Sequence, residues 1–420
     1  MTAATSTAPQ MQVRDRLPWA ALLALATGGF ITIVTETMPA GILPAMSRSL
    51  GVSESAAGQA VTIYAVGSVL AAVPLTAATV GWPRKRLLLL AVAGFAVANT
   101  VTALSTSFVL TMGARLLGGV AAGLLWALLA GYARRMVAPP LRGRAVAVAM
   151  VGTPVALSIG VPGGTFLAGV VGWRWAFGLI TVLGLALIVW IVLAVPGHPG
   201  TERTARLTLR RVLAIPGVAP VLAVALVFVL AHNILYIYIA PVLARVGLGH
   251  RVDAVLLAFG LASLAGIVLT GIWIDKHLRG LMIAASALFG AAALLLGLLA
   301  GVPVLVFVAA ALWGAGFGGT ATLVSTASAE AAGPAGDVAQ SLVVTCWNLG
   351  IAGGGVIGGA LLAGTGATSL PWWALGLALL ALLGTIASRR HGYPGRARRR
   401  KREEKDAAAV PTHVHADCAQ

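Results

Sequence analysis

The chain has 420 residues, of which 59% are hydrophobic and 10% charged, with 29 basic and 12 acidic side chains and a formal charge of +17. A soluble protein carries about 25% charged residues to cover its surface, so a soluble domain, a disordered chain and a fibre are excluded. At about 20 apolar residues per helical crossing, the roughly 248 apolar positions suffice for about twelve spans, and continuous runs such as Leu87–Ala98 and Val221–Ala231 exclude a membrane β-barrel.

After a polar segment, 1–16, spans are predicted at 18–46, 56–79, 87–105, 108–133, 143–170 and 174–196. The first run is too long for a cleaved signal peptide and is read as a retained span. A polar stretch follows, Pro196–Arg211, and spans resume at 217–243, 253–274, 280–300, 303–328, 338–363 and 371–388. The expected organisation is an N-terminal six-helix bundle over 17–196, a linker over 197–213, a C-terminal six-helix bundle over 214–388 and a basic, disordered tail over 389–420.

Lys and Arg sort by alternate loops. Of the 29, 24 fall on one side, including Arg84-Lys85-Arg86, Arg134, Arg135, Arg142, Arg144 and nine in the tail. Four fall on the other, Arg48, Arg174, Arg245 and Arg251, and Arg115 lies within a span. The positive-inside rule then puts both termini in the cytoplasm. The basic charge belongs to topology and to the tail, which can lie on anionic lipid, so no nucleic-acid partner is expected. Two cysteines, Cys346 and Cys418, supply neither a disulfide framework nor a metal site. Scarce lysine beside abundant Arg, Ala, Gly and Val, with no organelle address, suggests a bacterial plasma membrane as the setting.

In chain order, the first candidate for chemistry is Glu36, the one carboxylate well inside a span, in Thr35-Glu36-Thr37-Met38-Pro39. A carboxylate at that depth is costly and marks function by default, the alternative being a protonated structural glutamate. Pro39 removes a helical hydrogen bond and leaves backbone groups to be satisfied by a cavity or water. Arg115, the only intramembrane arginine, needs an anion or a ring of acceptors. Compared by depth, the two are expected to meet, either as a proton-switchable Glu–Arg pair or as a permanent salt bridge. Trp126 is eleven residues on, at nearly the azimuth of Arg115, after a Gly119-x-x-x-Gly123 step suited to close helix approach. Tyr64 in span two is a further cavity candidate.

Gly160, Pro162 and Gly164 break span five and offer a bendable backbone. His232, Asn233 and Tyr236 interrupt span seven and are candidates for the substrate path. Gly271, Asp275 and Arg279 close span eight, where the Asp can pair across to another helix as a latch or serve only as a topology anchor. In span eleven Trp347 and Asn348 precede Gly350, Gly353-Gly354-Gly355 and Gly358-Gly359, a loose repeat of span five.

These stretches, TETMPAGILPAMSRSLGVSESAAGQAVTIYAVG, ARLLGGVAAGLLWAL, GVPGGTFLAGVVGWRWAF, YIYIAPVL, GIWIDKHLR and NLGIAGGGVIGGALL, resemble the major facilitator superfamily. Within it the chain is similar to the bacterial drug:proton antiporters that include arabinose-efflux-like and chloramphenicol-efflux-like permeases, over roughly 17–388. The resemblance implies an all-α fold of twelve spans in two bundles that rock about a central site, with Arg115 tied to proton coupling and Gly160, Pro162 and Gly164 marking antiporters. Where the family's loop between spans two and three usually carries an Asp, this chain has Val80.

The expected function is proton-coupled export of a small, mostly apolar or amphipathic molecule by a monomeric transporter. The proton gradient is its energy source, without cofactor or metal. Sugar or nucleoside efflux would call for more polar residues in the spans than Asn99, His232, Asn233, Gln340 and Asn348. A membrane enzyme would need a catalytic cluster that the spans do not supply.

Overall fold

The computed structural model describes residues 16–393 except 73, 74, 76, 77, 80, 139, 140, 201–208, 300 and 391. Val80, residues 201–208 of the linker and the tail beyond 393 therefore lie outside the described residues. The first six spans are α1 (Trp19–Leu50), α2 (Glu54–Ala72), α3 (Arg84–Leu104), α4 (Phe108–Arg135), α5 (Arg142–Val171) and α6 (Trp173–Ala194). A short helix, Leu209–Leu213, leads to α7 (Val218–Tyr236), then α8 (252–276), α9 (278–299), α10 (Pro303–Ala332), α11 (Gly336–Thr365) and α12 (Leu370–Ala387).

Among the described residues ten helices are long and apolar enough to cross a membrane. The twelve expected spans are recovered once two facts are added. The helix Val252–Leu299 has 48 residues, and at 1.5 Å per residue a straight rod would run about 70 Å, against about 30 Å of hydrocarbon. Its backbone leaves the helical region at His277 (φ −134°, ψ 28°), which divides it into α8 and α9. The other is α2, a 19-residue helix, Glu54–Ala72, over the second apolar run.

The helices are apolar on all sides because both neighbours and surroundings are apolar. Leu193 and Leu104, for example, are 80% and 76% exposed on the outside of the bundle. Short turns make sequence neighbours antiparallel, and Gly51 (φ 66°) and Gly172 (φ 93°) supply the positive φ needed to reverse the chain after α1 and before α6. Two buried clusters form the core: one is drawn from α1 to α6, the other chiefly from α7 to α12 with Ala40, Leu43, Ala57, Val61 and Ala65 added from α1 and α2.

The two halves touch along two seams. On one, α2 meets α11 through the glycine-rich stretch of span eleven: a Cβ on Gly355 would land on the Thr62 hydroxyl, and one on Gly359 would lie 2.6 Å from the Tyr238 hydroxyl and 2.7 Å from Gln59 Nε2. On the other, α5 meets α8, where a Cβ on Gly260 would collide with Ser158. Those glycines are therefore positions of close approach between halves. Both seams lie toward the end of the bundle that carries Gly51, Gly172 and Gly366, the arginine-poor end.

Candidate functional site

The polar centre of the first half is organised by Pro39. It has no amide proton for the carbonyl of Thr35, four residues earlier, yet α1 runs on as a helix to Leu50. Arg115 of α4 supplies the missing donor: its Nη1 donates to the Thr35 carbonyl at 2.6 Å, its Nη2 to the Glu36 carbonyl at 3.2 Å and its Nε to the Ala60 carbonyl of α2 at 3.1 Å. One guanidinium thus ties together three helices, by charge-assisted bonds. Arg115 is 1% exposed and lies over the Tyr64 ring, 4.8 Å from its centroid. Asn99 donates to the Thr35 hydroxyl at 3.1 Å and Tyr64 to the Thr32 carbonyl at 3.2 Å.

Of the partners expected for Arg115, an anion or a ring of acceptors, the structure holds the second. Arg115 and Glu36 do meet, but the bonds of Arg115 run to main-chain carbonyls of α1 and α2 and not to the Glu36 carboxylate, which corrects the expected ion pair. The reason is geometric: the carbonyl that Pro39 leaves open points into the bundle where Arg115 arrives, and a planar guanidinium with five donors suits neighbouring carbonyls. Tyr64 likewise belongs to this clamp. It is fully buried and lines no open cavity.

Glu36 is 6% exposed and stands where α1 faces the second half. Tyr236, on α7, is 2% exposed, and its hydroxyl lies beside Thr37 of α1 across the junction, with Glu36 nearby. Its ring stacks on His232 (centroids 5.0 Å apart), and His232 stacks in turn on Phe317 of α10 at 3.8 Å, with Trp347 of α11 6.0 Å beyond. A line of aromatic side chains thus runs from Tyr236, beside Thr37 of α1, into the second half.

His232 has a defined state. Trp313 Nε1 donates to its Nδ1 at 3.0 Å. An indole N–H only donates and an imidazolium has no acceptor, so this bond requires the neutral imidazole with its proton on Nε2. His232 is thereby a fixed hydrogen-bond donor within an aromatic cluster that also holds Phe259 and Phe289.

The other predicted residues fall in several places. Trp126 is half-buried against Gly29 of α1. Asn233 and Asn348 are turned back on their own helices, each donating one amide proton to a carbonyl one turn back, Val229 (2.8 Å) and Val344 (3.0 Å). Asn233 also packs on Gly354 of α11, away from the Tyr236 line. Gly160 and Gly164 bring α5 onto α1: a Cβ on Gly160 would lie 2.6 Å from Val34, and one on Gly164 2.9 Å from the Met38 sulfur. Pro162 follows a π turn, Ala156–Gly160, whose Ser158 hydroxyl reaches the Gly260 carbonyl of α8 at 2.9 Å. Gly271 is exposed with open space around it, so nothing packs there that demands glycine. Asp275 is exposed beside the His277 kink. Arg279 donates to the Ile386 carbonyl at the end of α12 (3.1 Å), which makes it a staple within the second half.

Residues without charge, missed in the sequence, hold the α2–α11 seam. Gln59 Nε2 donates to the Tyr238 hydroxyl (3.2 Å) and the Gly355 carbonyl (3.1 Å), Tyr238 donates to the same carbonyl (2.8 Å), and Ser55 donates to the Gly359 carbonyl (2.8 Å). Tyr238 is fully buried against Gly58 of the first half and Gly358 of the second. The available signal was a polar pair, Ser55 and Gln59, one turn apart at the start of a span, facing a glycine stripe.

A family model described as Major Facilitator Superfamily matches residues 25–335 and 249–416. The chain belongs to the major facilitator superfamily. Among its superfamily relatives, the purine ribonucleoside efflux pump NepI of Escherichia coli (strain K12) is 30% identical over 363 residues, covering 84% of this chain and 89% of the relative. A chloramphenicol efflux pump of Mycobacterium tuberculosis is 31% identical over 391 residues, covering 86% and 90%. A variant of the nucleoside transporter NupG superimposes with a TM-score of 0.72 at 12% identity (88% of this chain, 99% of that one), and a D-xylose–proton symporter with 0.71 at 16% (88% and 96%). The major facilitator fold of twelve helices is thereby shown, and the protein is a multi-pass membrane transporter, not an enzyme.

Proposed function

We propose that the protein exports a small, mostly apolar or amphipathic, drug-like molecule by alternating access, exchanging it for protons that enter on Glu36. The observation that carries this reading is the position of Glu36: a nearly buried carboxyl group near Tyr236 of the second half, beside an Arg115 that gives three of its hydrogen bonds to main-chain carbonyls. Protonation of Glu36 removes a charge from the boundary the halves must rearrange, and deprotonation restores it. Arg115 keeps the boundary near a fixed positive charge and stiffens the first half. The efflux pumps at 30–31% identity support export as the direction.

On this reading the arginine-rich ends of the spans face the bacterial cytoplasm and both termini lie there. The seams held by Tyr238 and Ser158 then close the outer side. The transporter acts as a monomer, with the proton gradient as its only energy source and no cofactor. A second reading, export of a purine nucleoside, is favoured by the likeness to NepI and by the fixed Nε2–H donor of His232 among aromatic rings, which suits a flat heterocycle with acceptor atoms.

Purified protein in proteoliposomes with an imposed pH gradient tests the proposal against a panel of amphipathic antibiotics, purine ribonucleosides and sugars. Wild type is expected to move at least one antibiotic or nucleoside faster when the gradient is applied. Glu36→Gln should bind the same compound but lose the response to the gradient. Gradient-driven transport that survives Glu36→Gln undiminished removes Glu36 from the mechanism.

A further inference from the structure

Away from the junction of the halves, four helix ends of the first half surround a cavity of about 750 Å³. It lies where α1 begins, near Lys85 at the start of α3, and where α4 and α6 end, on the arginine-rich side. Its walls are apolar, with Leu17, Met136 and Leu193 among them, and Trp19 stands on its rim at 56% exposure. Its polar edge is basic, formed by Lys85, Arg135 and His198. Lys85 donates one bond, to the Val192 carbonyl at 2.9 Å, so two of its three ammonium protons remain for another acceptor. Arg135 donates to the Pro199 carbonyl at 3.2 Å. Burial and the neighbouring Arg135 guanidinium hold His198 below the ordinary histidine range, so the positive charge at the edge comes from Lys85 and Arg135.

The geometry points to a binding site for an anionic phospholipid, with its phosphate at Lys85 and Arg135 and the start of an acyl chain along Leu17, Trp19 and Leu193. Three features favour a lipid over a soluble solute. The cavity has the size of a ligand site, about 300–1,000 Å³. Apolar walls and a cationic edge match an amphiphile whose charge sits at one end. The site also opens at the level where helices end, with an exposed Trp at its mouth, as side chains do at a bilayer interface. None of these residues is Glu36 or belongs to the Tyr236–His232 line, so the site would act on the first half as a support and not as part of the transport path. The binding test below is done in detergent, so it does not depend on which way the protein faces in a membrane.

The test is fluorescence quenching of the purified full-length protein by phosphatidylglycerol with brominated acyl chains. Phosphatidylcholine with the same chains serves as the neutral lipid, and glycerol phosphate and inorganic phosphate as headgroups without chains. The chain has 11 tryptophans, so the signal read is the difference in quenching between wild type and Trp19→Phe; that difference is expected to saturate with phosphatidylglycerol, with each of Lys85→Gln and Arg135→Gln weakening the apparent affinity about fivefold, the effect of about one surface cation. Free phosphate and glycerol phosphate should not compete. Equal saturation by phosphatidylcholine, full quenching retained in Trp19→Phe, or affinity unchanged in Lys85→Gln would each overturn the assignment, and effective competition by inorganic phosphate would reassign the cavity to a soluble anion. Should Arg135→Gln fail to fold, Lys85→Gln and Trp19→Phe carry the test, since both side chains sit at the edge of the fold.

Discussion

The clamp on α1 makes a quantitative prediction. If Arg115 stands in for the backbone donor that Pro39 lacks, the two residues are coupled through the Thr35 carbonyl. Arg115→Met strands that carbonyl in the bundle, a cost of about 1–3 kcal/mol for one buried unsatisfied acceptor, in addition to the bonds lost at Glu36 and Ala60. In a Pro39→Ala background the new alanine amide donates to Thr35, so the stranding term vanishes while the other losses remain. A double-mutant cycle should therefore show a coupling of about 1–3 kcal/mol, with Arg115→Met less damaging when Pro39 is absent. The contributions of the ring volume of Pro39 and of the bonds to Ala60 appear in both arms and cancel. Reversible unfolding of the four proteins in mixed micelles measures it. Additive costs, within about 0.5 kcal/mol, would refute the shared carbonyl.

Two further predictions concern the seams and the aromatic cluster. Tyr238→Phe removes the donor to Gly355 and the acceptor for Gln59, weakening the seam by about 0.5–1.5 kcal/mol per bond and shifting the population toward opening at the arginine-poor end. Distances between spin labels on α2 and α11 should broaden to longer values, and an unchanged distribution would deny Tyr238 this role. Trp313→Phe should free Nδ1 of His232, so that its ring nitrogen resonances report a mixture of the two neutral tautomers where those of wild type report one. A mixture in wild type as well would mean that the indole does not hold the tautomer.

Much of this architecture is legible in the sequence because apolar runs and loop charges are local. The same is true of Glu36, which stands out once every other acid is assigned to a loop, tail or helix end. For Arg115 the sequence asks for an anion or a ring of acceptors without choosing between them: a backbone carbonyl leaves no trace in composition, so the open acceptor at Thr35 and the donor at Arg115 read as two separate facts. Asn233 and Asn348 illustrate the converse, polar side chains in spans that satisfy themselves one turn back and need no cavity. Gln59 and Tyr238 went unseen because they meet across 179 residues of chain, and the glycines of span eleven carry meaning only beside α2.

The α2–α11 seam has one property set by its chemistry. Its bonds join an amide, two hydroxyls and main-chain carbonyls, none of which carries a formal charge. Ion pairs at a protein surface weaken as salt shortens the Debye length, whereas dipolar bonds between buried neutral groups do not. A closure of this kind holds equally in dilute and in saline surroundings.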